Sequence, residues 1–181
     1  MIELYIDSVR ISLRHYQRVI VLKQEDTQKY LPIWIGADIA EAIVLSLQNI
    51  DLPRPLTHDL MNNLIIQMGG KVDSIIVSKL EHDTYFAQIK IEYNNEIFKI
   101  DSRPSDAIAL SVRTNAPIFV DASVFEKASI DIDLENNVIL KHGNLDSNQP
   151  SVSKEELKKL SAFQDFVSGL DMNDLEEKKK D

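Results

Sequence analysis

A chain of 181 residues with 44% hydrophobic side chains can bury the core of one ordinary domain and carry an extension besides. Its formal charge of −9 excludes a protein that coats nucleic acid with a basic surface, and the absence of cysteine excludes disulfides, thiolate metal sites and thiol nucleophiles. No apolar run approaches the length of a membrane span, and the N-terminal MIELYIDSVRISL alternates instead of forming a signal peptide's apolar segment, so a cytoplasmic protein without a membrane partner is expected.

Residues 150–181 hold 6 Lys and 8 acidic residues and carry −2, leaving −7 for the rest, so no basic half hides behind the average. A nucleic-acid partner must therefore be engaged locally, for instance through a divalent metal that reverses the sign of an acidic pocket.

Ile2 to Leu13 alternates apolar and polar side chains and predicts a strand. A turn at 14–17, a second strand in VIVLKQ and a third from Tyr30 to Ile35 follow, as an antiparallel meander. After Gly36 the spacing becomes helical over Ala37 to Gln48, with Ile39, Ala42, Ile43 and Leu47 on one stripe and Asp38 and Glu41 beside each other off it. The prolines of DLPRPL make an extended connection.

Thr57 is the expected N-cap of a helix from His58 to Met68, with a buried stripe of Met61, Leu64, Ile65 and Met68 and an end at Gly69 and Gly70. His58 and Asp59 then lie in its first turn, where the dipole suits the acid and disfavours a cationic imidazole. Two β runs, Val72 to Leu80 and Thr84 to Tyr93, form a hairpin, and Glu96 to Ile100 returns after a turn at Asn94 and Asn95.

Ile100 to Val120 holds the densest chemistry. A strand end runs into a polar corner of Asp101, Ser102, Arg103, Pro104, Ser105 and Asp106, then a helix from Pro104 to Arg113, then a strand at Pro117. Two carboxylates and a guanidinium at a helix start suit a phosphate or a metal; a well-formed helix N-terminus with an Arg bridging two acids uses the same residues. Beyond Glu126 come one short hairpin around Asn136 and Asn137, a polar linker, and an amphipathic helix capped at Ser153 with a stripe of Leu157, Leu160, Phe163 and Phe166 that docks on its own domain or on a protein partner. The boundaries expected are 1–130, 131–152 and 153–181.

No phosphate loop, dinucleotide fingerprint, zinc-protease helix or nucleophile elbow is present. What remains is a set of acids at corners, Glu41, Asp59, Asp101 and Asp106, with His58, Arg54 and Arg103 near them in sequence. Carboxylates are the hard oxygen ligands that Mg²⁺ or Mn²⁺ prefers.

The strings LPIWIGADIAEAI (31–43), RPLTHDLMNNLI (54–65) and IDSRPSDAIALSVR (100–113) followed by PIFV (117–120) resemble, in order and spacing, those of the bifunctional nuclease domain family, over roughly residues 1–130. The resemblance implies metal-assisted hydrolysis of DNA and RNA with low sequence specificity. It makes Glu41, His58 and Asp59 the candidate catalytic residues, with His58 the proton carrier, Arg103 and Arg54 the substrate-binding residues, and Asp101 and Asp106 the ligands of Mg²⁺ or Mn²⁺. The alternative is a non-catalytic oligomeric binding or regulatory module; a homo-oligomer is expected under either. An anionic small molecule at the Arg103 corner is a third reading. The tail lacks the repair-protein-like motif that some relatives carry, so no repair partner is implied. The fold expected is α+β, a largely antiparallel or mixed sheet of six or seven strands with three helices and a C-terminal helical tail.

Overall fold

The computed structural model describes residues 1–11, 18–133 and 138–141. They form an α+β domain built on one mixed sheet of nine strands. In chain order the elements are β1 (Ile2–Ile11), β2 (Arg18–Lys23), β3 (Lys29–Ile35), α1 (Ala37–Leu47), α2 (Thr57–Gln67), β4 (Lys71–Glu81), β5 (Thr84–Tyr93), β6 (Glu96–Ser102), α3 (Pro104–Thr114), β7 (Ile118–Val120), α4 (Ala122–Ala128), β8 (Ile130–Asp133) and β9 (Val138–Lys141).

Across the sheet the order is β6-β5-β4-β7-β1-β2-β3-β8-β9, and every neighbouring pair is antiparallel except β4 with β7. That exception is forced by α3. The chain leaves β6 at one edge, crosses over β5 and β4 as α3, and re-enters the sheet as β7 between β4 and β1. A crossover of this kind buries its helix, and Ala107, Ile108, Ala109 and Leu110 are all fully buried. Small residues at 107 and 109 let α3 lie close on the sheet. Pro104 opens the helix at its first position behind an extended Arg103, and Asn115 ends it in the left-handed conformation at φ 53°.

Helices α1 and α2 flank α3. Together they cover a core of Leu4, Ile20, Leu22, Leu31, Ile43, Ile75, Val77 and Val120. The hairpins turn on His82–Asp83 and Asn94–Asn95, all with positive φ, as two-residue hairpins of right-handed twist require.

The three expected helices begin at Ala37, Thr57 and Pro104, at or within one residue of where the sequence places them. Strand and helix numbers are higher than expected. Strands β8 and β9 pair as the predicted short hairpin but also extend the sheet from β3, and the seven-residue α4, capped by the Asp121 carboxylate accepting from Ser123 N, carries too few residues to show a period. Two packing expectations are corrected. Leu47 at the end of α1 is exposed, and of the predicted α2 stripe only Met61 and Ile65 pack on the core while Leu64 and Met68 are 58% and 66% exposed. The cap is also shifted: Thr57 is the first helical residue, and the Asp59 carboxylate accepts from Leu56 N at 2.7 Å. The turn at 14–17, the linker beyond residue 141 and the helix from Ser153 lie outside the described residues. Among those described, no helix is long and apolar enough to cross a membrane.

Candidate functional site

The first turns of α2 and α3 meet, because both helices start on the same side of the sheet and pack along each other. His58 is held there at 5% exposure, the most polar buried residue of the domain's helices. Its Nε2 lies 3.2 Å from Asp106 Oδ1, a contact 48 residues apart in sequence. Arg103, one turn before Asp106, donates from Nε to Asp106 Oδ2 at 2.6 Å and from its terminal nitrogen to Oδ1 at 3.1 Å. This forked pairing fixes the carboxylate's plane. The Arg103 side chain remains 72% exposed, open to solvent.

Burial pushes the Asp106 carboxyl up, but the hydrogen bonds from Arg103 and His58, and then their charges, outweigh it and hold the group below the usual carboxylate range. Asp106 is thus an anion that orients an imidazole. Asp38 lies close enough to add to the field on Arg103. Its carboxylate also crosses over Gly36, where a Cβ would come within 2.8 Å of Oδ1.

A second cluster stands beside this one. Arg113, its side chain 6% exposed, donates to Asp59 Oδ1, to Ala109 O at 2.8 Å and to Ala42 O at 3.1 Å, tying α1, α2 and α3 together. For Asp59, burial again raises the pKa, and the hydrogen bonds from Arg113 and Leu56 lower it by more. Both Asp59 oxygens are engaged, one on Arg113 and one on Leu56 N. The same ion pair lines an open cleft of about 660 Å³ with Arg54, Asn49, Leu52 and Asn63.

Of the residues picked from sequence, the structure brings together His58, Arg103 and Asp106. Asp59 joins Arg113, and Arg54 looks into the neighbouring cleft. Glu41 is exposed on α1, and Asp101 is exposed on β6 on the sheet face it shares with Gln88. Among the described residues no group of three or more His, Asp or Glu is placed to hold a metal ion. The donor set of the corner, one carboxylate already shared by an imidazole and a guanidinium, does not fit a divalent cation as it stands. Arg113 was not picked from the sequence. A basic residue in the last turn of a helix is ordinary there, and only the tertiary contact to Asp59 sets it apart.

The bifunctional nuclease domain profile matches residues 20–133, which include this corner and the cleft. The chain belongs to the bifunctional nuclease domain family. An uncharacterized protein of Mycobacterium tuberculosis H37Rv is 32% identical over 166 residues, covering 92% of this chain and 94% of that protein. Bifunctional nuclease 1 of Arabidopsis thaliana is 35% identical over 106 residues, covering 56% of this chain and 33% of the plant protein. Bifunctional nuclease 1 of Oryza sativa subsp. japonica is 31% identical over 120 residues, covering 64% and 36%. The chain thus matches about a third of the length of those plant proteins and nearly the whole mycobacterial relative.

Proposed function

We propose that this domain hydrolyses phosphodiester bonds of DNA and RNA at the His58–Asp106–Arg103 corner. The observation that carries the reading is the Asp106 carboxylate, shared between a buried imidazole and an exposed guanidinium. With Nε2–H donated to Asp106, the Nδ1 lone pair of His58 takes the proton from an attacking water, and Asp106 steadies the imidazolium that forms. The water oxygen bonds to phosphorus, the P–O bond to the leaving sugar oxygen breaks, and that oxygen takes a proton from solvent. Arg103 presents its remaining donors to the non-bridging oxygens, and the N-termini of α2 and α3 add their positive dipole ends. Reading phosphates alone gives low sequence specificity. Membership of the nuclease family supports the reaction class.

The test follows cleavage of single-stranded RNA and DNA by purified wild type and His58→Ala, each with Mg²⁺, Mn²⁺ or EDTA. Loss of a general base lowers the rate about 10²- to 10⁴-fold. Inhibition by EDTA with rescue by Mn²⁺ overturns this metal-free scheme, since the corner as it stands does not fit a divalent cation. The exposure of His58, only 5%, favours one second reading, a non-catalytic binding or regulatory module in which the corner locks α2 to α3. On that reading His58→Ala changes stability and leaves any cleavage untouched.

A further inference from the structure

We infer that two copies of this chain pair through β6, joining their sheets across a two-fold axis. Strand β6 is an edge strand of seven residues, exposed on both faces, with Ile97 49%, Phe98 44% and Ile100 46% exposed. Its register with β5 runs unbroken from Ala87–Ser102 to Tyr93–Glu96, so no bulge bends the edge away, and it holds no proline. Edges left this way are templates for another strand, and Lys99 is the one basic guard on it.

The charges name the occupant. In a two-fold antiparallel pairing some residue faces its own copy. Pairing about Lys99 sets Lys opposite Lys, and pairing about Phe98 leaves Lys99 opposite Ile97. Pairing about Ile100 sets Lys99 opposite the second copy's Asp101, and by symmetry Asp101 opposite the second copy's Lys99, with Phe98 facing Ser102. Only this register neutralises the guard, and it does so twice.

Backbone geometry agrees. The two-residue turn at Asn94 and Asn95 makes Tyr93–Glu96 a hydrogen-bonded pair, so Glu96, Phe98, Ile100 and Ser102 direct their backbone groups to β5. Lys99 and Asp101 therefore point theirs outward, and the Lys99–Asp101 pairs exchange the new hydrogen bonds around a closely spaced Ile100 pair.

A strand edge alone falls short of the about 800 Å² per partner that a specific dimer buries. The rest comes from α2. Phe98 and Ile100 share the sheet face of Ile91 and Ile89, the face on which α2 lies, since a Cβ on Gly70, just past α2, would meet both Ile65 of α2 at 3.2 Å and Ile91 at 3.3 Å. Leu60, Leu64 and Met68 form an exposed apolar stripe along α2, at 61%, 58% and 66%. A two-fold axis through β6 brings two such stripes to the same side of the joined sheet.

The experiment is sedimentation equilibrium of the full chain against Lys99→Asp, Asp101→Lys and the doubly exchanged variant, with circular dichroism to show each folded. The wild type is expected as a dimer at micromolar concentration. Each single reversal weakens association about tenfold, because like charges then face each other at both symmetric positions. The double exchange restores wild-type association. A monomeric wild type, or a dimer indifferent to both reversals, overturns the proposal.

Discussion

At the scale of single residues, two carboxylates do the joining, and both are held below the ordinary carboxylate range by arginine. A depressed folded-state pKa contributes stability that is fully present above the unfolded value and is lost as pH falls through the folded value. Asp59 and Asp106 therefore contribute fully at pH 7 and pH 5, and their contribution declines below about pH 4. Urea midpoints measured from pH 7 to pH 2 should show this decline, and an Asp106→Asn variant should show a shallower one. Arg113 is the more consequential partner of its pair. Arg113→Ala leaves the Asp59 carboxylate half-buried without its cation and frees two carbonyls, and should cost about 3 kcal/mol in urea unfolding. The Arg103–Asp106 pair, three residues apart, was legible in sequence; the other two were not, since Arg113 and Asp59 are 54 residues apart and His58 and Asp106 are 48 apart.

At the scale of elements, periodicity located the three long helices and the strands up to β5 because each carries a regular apolar alternation or run over six or more residues, while β6, exposed on both faces, was located by the turn at Asn94 and Asn95. It misplaced what depends on neighbours. An apolar residue on α2 reads as core whether or not a neighbouring layer covers it, and nothing among the described residues covers Leu64. Thr57 has the right chemistry for an N-cap, yet the cap position falls on Leu56, whose own N–H donates to the Asp59 carboxylate. Thr57→Ala should consequently cost less than about 0.5 kcal/mol, where a true cap would cost about 1. Ile108→Ala, in the middle of the crossover helix and fully buried, should cost about 2–5 kcal/mol, read by the same unfolding curves.

At the scale of the whole molecule, the crossover that carries α3 from the β6 edge to β7 is what sets Asp106 against His58, so fold and site share one topological cause. The candidate residues were legible as the ionisable positions of three strings; their grouping was not, because it follows from which helix the crossover passes beside. Glu41 and Asp101 stay on the surface for that reason, while Asp106 turns inward. The most direct measurement is a double-mutant cycle in kcat/KM for RNA cleavage with His58→Ala, Asp106→Asn and both together, on proteins of matched fold. If the imidazole and carboxylate work as one proton-transfer unit, the double variant is no slower than His58→Ala alone. Losses that multiply would contradict the coupled proton-transfer unit, and activity that survives in all three would contradict catalysis at this corner.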